Sequence, residues 1–484
     1  MRYTVYKSIN LLADSIIEAI NYIKINPSAI GLLSDCILAV NSMKNIFASN
    51  NICDDMLEIF LECIERIIEC VKSEKEYSIQ IDNLLKIATD IKETCHKLEY
   101  KLEIVFLAEL GSKWDSMDSV YRAFKSRNDC NVNVIIMPIF RAIKLPNGEV
   151  KSDVIYEDYL TPMGIENIPF KNYDIKKHLP DITFTSQPYE SVMPEQFWAE
   201  NIVPYTKLVY LPYFTSRGVV NDSERTTQCE MPTQKLAWKV ICQSDEAKKI
   251  YSKYFATNGE NILVSGLPKW DWVVNMKQRN VQFPKTWEKL KNKKIILKNQ
   301  HYIFKPNELL DSMRTSIDYF KGSDIGLVYR FHPLTETMFN VYYPNYSLEW
   351  EKIKKEIENS SNVAIDYNTT YDCAFLYSDI LLTSYTSLIQ QYILTKKPIV
   401  VVHQNVNFEK HKAYDDNENT FMRNTELLAA DTEETGYEIC KKILKDGDYD
   451  YENRMKFIDK FLPGADGNIG KRLTEKIISC FLGN

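Results

Sequence analysis

The feature that most constrains the fold is an alternation of strand and helix that begins at residue 102. A short apolar run, Leu102–Leu107, is followed by a polar loop and by a stretch, Trp114 to about Ser126, that we predict to be helical. A second apolar run follows at Asn133–Pro138. Strand, loop, helix and strand in this order are typical of neighbouring parallel strands with a helix on one face. The stretch therefore predicts a parallel α/β sheet.

Further runs of strand length fall into two groups, before and after Pro284. The first group predicts strands at Asp181–Thr185, Lys207–Leu211, Lys239–Cys242 and Asn261–Ser265. The second predicts strands at Lys294–Lys298, Ile325–Phe331, Val363–Ile365, Ile380–Thr383 and Ile399–Val402. Helices are predicted at Asn307–Lys321, Leu348–Glu358, Tyr371–Tyr377, Ser387–Leu394, Thr435–Leu444 and Lys471–Phe481. Two such groups are typical of two Rossmann-like domains.

The first 99 residues have a different pattern. Apolar side chains such as Ile16 and Ile20 recur at helical spacing, which predicts a helical bundle that serves packing or homo-oligomer formation. The predicted architecture is an all-helical region at 1–99, one Rossmann-like domain at 100–275, and a second at 276–484 with C-terminal helices. This is the GT-B layout, in which a ligand lies in a cleft at the carboxyl ends of the strands.

The charge balance and the cysteines narrow the function classes. Net charge is −7 at pH 7, so the chain as a whole lacks the basic balance of nucleic-acid-binding proteins, although a local basic groove stays open. The 11 cysteines form no CxxC pair and no Cys/His cluster at zinc spacing, which predicts reduced thiols and no metal site. Met1–Ile20 lacks a signal-peptide pattern, and we find no apolar run long enough to span a bilayer. We expect a cytoplasmic protein and leave contact with a membrane surface open.

Glycine-rich phosphate-binding loops are absent from the sequence. The chain has 15 glycines and contains neither GxGxxG nor the Walker A pattern. This argues against a kinase and a dinucleotide-dependent dehydrogenase, and we predict no cofactor. Phosphate recognition must then rely on hydroxyls, cationic side chains and helix N-termini.

Arg330 and His332 lie at the end of a predicted strand, directly before Pro333. Strand alternation places both side chains on the same side of the sheet. A fixed guanidinium beside an imidazole suits a diphosphate, because the first supplies charge and the second a directional donor or a proton. The alternative is a structural arginine and a capping histidine.

The predicted strand Ile380–Thr383 ends in a cluster of hydroxyls, at Thr383, Ser384, Thr386 and Ser387. We expect Thr386 and Ser387 near a helix N-terminus, where hydroxyls and backbone N–H groups together bind anions. Plain helix capping explains the same residues equally well.

Two further turns lie at predicted strand ends. Gly266 begins a turn that carries Lys269 and Asp271, which either orient a ligand or pair with one another. Asn299 and His301 follow the strand Lys294–Lys298 directly, and a structural turn accounts for them as well as a ligand site does.

Taken in order, these segments resemble the CDP-glycerol glycerophosphotransferase family across residues 260 to 475. That family carries G-x-P-x-x-D, R-x-H-P and T-D-Y-S-S segments, then a strand beginning K-P-I and a final D-G-x-A-x-x-R. The matching residues here are Gly266, Pro268, Asp271, Arg330, His332, Pro333, Thr383, Tyr385, Thr386, Ser387, Lys397, Pro398, Ile399, Asp466, Gly467 and Arg472.

The resemblance implies a phosphotransferase with an N-terminal acceptor domain and a C-terminal nucleotide-donor domain. An acceptor hydroxyl would attack the phosphate that bears the polyol, and the cytidine nucleotide would leave as CMP. His332 and Arg330 would hold the diphosphate, with Thr386 and Ser387 donating hydrogen bonds from the helix start. Stabilising the charge of the transferred phosphoryl group is the main requirement of such a reaction.

The chain departs from the family pattern in two places. Ser384 stands where the family usually has aspartate, and the segment Leu211–Thr215 lacks the histidine of the family's His-Gly turn, which is thought to supply the general base. Glu109 and His301 are the candidate substitutes: Glu109 is better placed for an acceptor cleft, and His301 has the better intrinsic pKa.

Two other readings stay open at this stage. One is a nucleotide-sugar glycosyltransferase or an epimerase-like enzyme of the same architecture, which would prefer a UDP or GDP donor. The other is a non-catalytic nucleotide-binding scaffold, in which residues 1–99 would be the interaction module.

Overall fold

The computed structural model describes residues 1–52, 55–144, 150–300, 305–384, 386–402, 418–422 and 427–483. The chain divides into two compact units. The first contains Met1–Ile104 with Arg127–Asn131, and the second contains Val105–Ser126 with Val132–Asn484. The boundary that we placed near residue 275, between two Rossmann-like domains, stays a prediction.

The first unit is helical, as predicted. Its helices are Tyr3–Ile25, Leu33–Ser49, Met56–Lys72 and Ser78–His96, and a 3-10 turn at Pro27–Leu32 precedes the second helix. Each helix buries one apolar stripe in a shared core, because apolar residues recur every three or four positions.

The stretch Pro27–Ser49 qualifies the prediction about membrane spans. It is 23 residues long and contains an 18-residue window with a mean hydropathy of 1.2, so by length and composition alone it passes as a candidate span. A core helix passes the same test, and five of its side chains, from Leu33 to Phe47, are buried in the helical unit.

The first sheet belongs to the amino-terminal half of the α/β region. Its strands within the described residues are β1 (Leu102–Ala108), β2 (Cys130–Ile136), β5 (Ile168–Pro169), β6 (Ile182–Thr185), β7 (Lys207–Tyr210), β8 (Lys239–Cys242) and β9 (Ile262–Val264), in the order β5-β2-β1-β6-β7-β8-β9. The pairs β2–β5, β6–β7, β7–β8 and β8–β9 are parallel. A separate antiparallel hairpin, β3 (Ile139–Lys144) with β4 (Val150–Ile155), was not predicted.

The second sheet is parallel throughout and positions the candidate site. Its strands within the described residues are β10 (Lys294–Gln300), β11 (Ile325–Phe331), β12 (Val363–Ile365), β13 (Ile380–Thr383), β14 (Ile399–Val402) and β15 (Leu428–Ala430), in the order β12-β11-β10-β13-β14-β15. The register places Asn299 of β10 opposite Arg330 of β11 and opposite Thr383 of β13. Parallel strands bring these three side chains to one edge of the sheet.

The helices of the α/β region are mostly short. In chain order they are Gly111–Trp114, Asp118–Lys125, Ile175–His178, Ala199–Ile202, Asp222–Arg225, Pro232–Leu236, Asp245–Ser252, Lys269–Val274, Pro306–Phe320, Thr335–Thr337, Ser347–Asn359, Asp372–Tyr377, Ile389–Tyr392, Glu433–Asp446, Tyr451–Phe461 and Ile469–Leu482. Every strand we predicted is present, whereas β5, β15 and the helix Tyr451–Phe461 were among the elements missed.

Two predicted helices need correction. The helix expected from Trp114 to Ser126 is broken after Trp114, where the Asp115 carboxylate accepts a hydrogen bond from the Tyr371 hydroxyl, 2.6 Å away. The helix expected from Ser387 begins at Ile389 and has four residues. Thr386 stays outside it because its hydroxyl is bonded to Asn299.

Candidate functional site

Asn299 is the centre of a hydrogen-bonded cluster at the carboxyl edge of the second sheet. Its amide nitrogen donates to the backbone carbonyl of Arg330 at 2.9 Å. Its amide oxygen accepts from the Thr386 hydroxyl at 2.9 Å and lies 3.5 Å from the Thr383 hydroxyl. These contacts tie β10, β11 and the turn after β13 together, so the edge is preorganised.

Arg330 is anchored in the loop that follows β12. Its guanidinium pairs with the fully buried carboxylate of Asp366 and donates to the backbone carbonyls of Asn368, at 3.1 Å, and Thr369, at 3.4 Å. The partner carboxylate compensates part of the positive charge that a diphosphate would meet. Arg330 therefore organises the loop 366–369 in addition to any role towards a ligand.

His332 follows β11 directly and is half-buried. The backbone N–H of Leu334 donates to its Nδ1 at 3.1 Å. Because Nδ1 accepts this bond, a neutral imidazole carries its proton on Nε2. The sequence predicted either a capping histidine or a donor to phosphate, and this geometry allows both: one nitrogen caps the turn and the other is a donor. We call Asn299, Arg330, His332, Thr383 and Thr386 the edge cluster.

The remaining residues predicted near these strand ends have other surroundings. The backbone carbonyl of Ser384 accepts from the Thr383 hydroxyl at 2.9 Å, and Ser387 is exposed. A helix of four residues that begins at Ile389 offers little of the N-terminal dipole that we expected at Thr386 and Ser387. His301 and Tyr385 lie outside the described residues.

Gly266 and Lys269, both predicted to bind phosphate, pack within the protein. Gly266 has a φ of +80°, and a Cβ there would lie 3.0 Å from Ile469. The Lys269 ammonium is buried, donates to the backbone carbonyl of Tyr213, and lies 3.6 Å from the Asp115 carboxylate. Burial lowers the pKa of Lys269, and Asp115 opposes that shift. Lys269 thus pairs with Asp115. The alternative pairing with Asp271, which the sequence left open, is not formed.

Several family-motif residues fasten the ends of helices. The Asp271 carboxylate accepts from the backbone N–H groups of Ile469, at 3.0 Å, and Gly470, at 2.7 Å, and so caps the last helix. Lys397 donates to the carbonyls that end the helix Asp372–Tyr377, and burial lowers its pKa to about 8. We call Gly266, Asp271, Lys397, Gly467 and Arg472 the fastening residues.

The other two fastening residues act near the start of the last helix. The Gly467 carbonyl accepts from the Asn275 side chain at 2.8 Å, and Arg472 forms an ion pair with Asp466 at 2.6 Å. Their contacts join the turn before Ile469 to the helix itself and to the chain after β9.

Glu109, the predicted acceptor-side base, directly follows β1, and its side chain has no exposed surface. One carboxylate oxygen, Oε2, accepts from the Lys113 ammonium at 3.1 Å and from the Gln187 amide at 3.3 Å. Burial raises the pKa of Glu109, and the Lys113 charge opposes that shift. A carboxylate with a raised pKa is suited to proton transfer near neutral pH.

Sequence reasoning missed several residues beside the edge cluster and around Glu109. Asp366 follows β12 directly, and Gln187 lies two residues after β6. Their positions at carboxyl edges were the available signal, but short polar residues after strands are also frequent in ordinary turns. Tyr159 lies in an irregular segment, and no pattern in the sequence pointed to it.

The sequence is similar to a known protein family. A family model described as CDP-Glycerol:Poly(glycerophosphate) glycerophosphotransferase matches residues 215–479. The teichoic acid poly(ribitol-phosphate) polymerase of Bacillus spizizenii is 22% identical over 254 residues, which are 50% of this chain and 37% of that protein. The match thus spans little more than a third of the relative's length.

Several solved structures have a similar fold. The S. aureus MnaA–UDP complex has a TM-score of 0.52 at 14% identity and covers 79% of this chain and 97% of its own. A UDP-N-acetylglucosamine 2-epimerase has a TM-score of 0.52 at 13% identity, with 79% and 98% covered. The wall teichoic acid polymerase TagF has a TM-score of 0.50 at 14% identity, with 88% and 98% covered. These similarities concern the fold, and they confirm the predicted GT-B-like α/β class.

Proposed function

Because the chain belongs to the CDP-glycerol:poly(glycerophosphate) glycerophosphotransferase family, we propose that it moves a polyol phosphate from a CDP-activated donor to a hydroxyl acceptor. The polyol is glycerol or a related one, and the acceptor is a cell-surface polymer or glycan precursor. The family match over residues 215–479 carries the proposal, since that stretch contains the edge cluster.

The proposed reaction forms one P–O bond and breaks another. The acceptor oxygen attacks the phosphorus atom that bears the polyol, and the bond from this phosphorus to the bridging oxygen of the diphosphate breaks. CMP leaves with the electron pair of that bond, and the proton of the acceptor hydroxyl passes to a base. The protein's task is to position both groups and to stabilise negative charge on the phosphoryl oxygens.

The edge cluster supplies groups suited to the diphosphate. Arg330 contributes a guanidinium, His332 an N–H donor at Nε2, and Thr386 a hydroxyl held by Asn299. As the CMP phosphate departs, a hydrogen bond from His332 would offset its growing charge. Ser384, Ser387 and Gly266 are further candidates for phosphate contact by position alone, and Lys269 supports the site through Asp115.

The setting of the reaction is also part of the proposal. The substrates are a CDP-polyol and a polymer or glycan acceptor, with no nucleic acid. We place the protein in the cytoplasm, peripheral to the inner face of the cell membrane, and assign the helical region 1–99 a role in homo-oligomer formation.

Calorimetric titration of the protein with CDP, UDP and GDP tests the donor assignment. We expect selective binding of CDP and at least tenfold weaker binding by His332→Ala, because one charge-assisted hydrogen bond contributes about 1.5–3 kcal/mol. His96→Ala is the matched control, since His96 is an exposed residue of the helical unit. Preference for UDP or GDP, or no nucleotide binding, would overturn the proposal.

A further inference from the structure

Two buried oxygen atoms beside β1 have no hydrogen-bond partner among the described residues. They are Oε1 of Glu109 and the hydroxyl oxygen of Tyr159. Leaving a buried polar atom unsatisfied costs about 1–3 kcal/mol, so each such atom needs an explanation, and a ligand that hydrogen-bonds to it is one.

The surroundings of Glu109 explain how it keeps one oxygen available. Oε2 is held by Lys113 and Gln187, so the carboxylate is fixed in orientation, while no residue in the described part of the chain donates to Oε1. Burial, and then the charge of Glu109, raise the pKa of Tyr159, so its phenol stays protonated. The site therefore offers one acceptor oxygen and one neutral hydroxyl.

This arrangement selects the chemical class of a ligand. A carboxylate oxygen accepts a hydrogen bond from an alcohol, and a phenol both donates to and accepts from one. A phosphate monoester would bring a second negative charge next to Glu109 in a region of low dielectric, which is unfavourable. The site fits a hydroxyl of an uncharged polyol or sugar and disfavours an anionic end group.

The same site lies beside the loop that anchors Arg330. A Cβ on Gly111, two residues after Glu109, would lie 3.2 Å from the Tyr159 ring and 3.4 Å from the Thr369 side chain. The Thr369 carbonyl in turn accepts from the Arg330 guanidinium at 3.4 Å. The close packing of Gly111 against Thr369 thus connects the Glu109 loop to the edge cluster.

The region that lacks the family's histidine is also adjacent. Tyr213 lies within the segment Leu211–Thr215, and the Lys113 ammonium is 4.5 Å from the centre of its ring. Burial raises the pKa of Tyr213, with a smaller contribution from the charge of Glu109. Glu109 therefore lies next to the position where this family has its base.

From these contacts we infer that Glu109, Tyr159 and Gln187 bind the attacking hydroxyl, that Glu109 takes its proton, and that this hydroxyl belongs to an uncharged polyol or sugar end. The inference rests on the proposed transferase function. The acceptor O–H bond breaks as the new O–P bond forms, and the proton moves to Oε1 of Glu109. Because Glu109 has no exposed surface, residues packed around it must move for the acceptor to enter.

The test measures CMP release from CDP-glycerol, with ribitol or glycerol 3-phosphate as the acceptor probe. We expect the wild type to favour ribitol. Glu109→Gln should lower kcat with ribitol at least 100-fold while leaving CDP affinity unchanged, as calorimetry reports. Tyr159→Phe should raise KM for ribitol several-fold with a smaller change in kcat.

The pH dependence separates a base from a structural residue. Lys113, Tyr159 and Tyr213 are the titratable groups that interact with Glu109. Transfer should fall as pH drops through the raised pKa of Glu109, and this acid limb should vanish in Glu109→Gln. Lys113→Met should move the limb to higher pH, because it removes the positive charge that lowers the pKa of Glu109.

Three results would overturn the inference. They are an unchanged acid limb in Glu109→Gln, unchanged kcat in that variant, or preference of the wild type for glycerol 3-phosphate. If the wild type binds CDP but turns over neither probe, the test is the infrared difference spectrum of the carboxyl region on adding ribitol. Identical difference spectra for the wild type and Glu109→Gln would refute the inference. Absence of CDP binding would instead refute the proposed function.

Discussion

Apart from Asn299, the edge cluster consists of residues from the family motifs, as the fastening residues do, but the two groups have opposite surroundings. In the edge cluster, Asn299 and Thr386 hold each other in place at the carboxyl edge of the second sheet. Among the fastening residues, Asp271 has both carboxylate oxygens bonded to backbone N–H groups of the last helix. The difference teaches that a family motif marks a constrained position, whereas the hydrogen-bond partners decide between ligand binding and fastening.

The largest effect is expected at Arg330, which belongs to the edge cluster but also anchors a buried carboxylate. Arg330→Gln should lower the free energy of unfolding by about 3–5 kcal/mol, because it leaves Asp366 buried without its cation. Urea denaturation measures this change. The double variant Arg330→Gln/Asp366→Asn should recover much of the stability without recovering CDP affinity. Recovery of both would show that Arg330 only anchors the loop.

Substitution of Asp271 should lower stability without weakening CDP binding. Asp271→Ala removes the acceptor for two backbone N–H groups at the start of the last helix, which should cost about 1–3 kcal/mol of stability. CDP affinity of the folded protein should stay within twofold of the wild type. A selective loss of CDP binding at full stability would place Asp271 with the edge cluster.

Gly467 tests whether the fastening residues contribute to stability through close packing. A Cβ there would lie 2.5 Å from the Asn275 side-chain oxygen, whereas a Cβ on Gly447, also at positive φ, would have none of the described residues within 4 Å. Both alanine variants carry the backbone strain of a positive φ, about 1 kcal/mol. Gly467→Ala should be less stable than Gly447→Ala by a further 1 kcal/mol or so, measured by thermal unfolding. Equal losses would mean that the turn relaxes around Asn275.

Thr386 is the site of the smallest predicted effect. Thr386→Val removes the hydroxyl that donates to Asn299 and should cost about 1 kcal/mol of stability, since among the described residues the Asn299 oxygen then keeps only the longer contact to Thr383. CDP affinity should fall a few-fold, because the edge is less preorganised. Thr386→Ser, which keeps the hydroxyl, is the control and should behave as the wild type does.

The sequence predicted the strands better than the helices of the α/β region. Strand runs such as Ile399–Val402 are buried on both faces, so their apolar composition alone identified them. The helix expected to begin at Ser387 begins two residues later, at Ile389, because the Thr386 hydroxyl is bonded to Asn299, 87 positions away in the chain. Such long-range bonds leave no periodic signal in a sequence.

The candidate site was only partly accessible from the sequence for the same reason. Arg330 and His332 were predicted from their position at a strand end, and the structure places Arg330 opposite Asn299, with His332 directly after the strand. That Asp366 pairs with Arg330, or that Tyr159 lies by Glu109, depends on packing between distant segments. The acceptor side therefore had to be inferred from unsatisfied atoms and not from motifs.

The most direct test of this account is CMP release from CDP-glycerol per folded molecule, compared between His332→Ala and Asp271→Ala. We predict a loss of about 10²–10⁴-fold in His332→Ala, because it removes a donor to the leaving group. Asp271→Ala should keep the wild-type rate after correction for its unfolded fraction. A wild-type rate in His332→Ala, or an equal loss in both variants, would contradict the distinction between the edge cluster and the fastening residues.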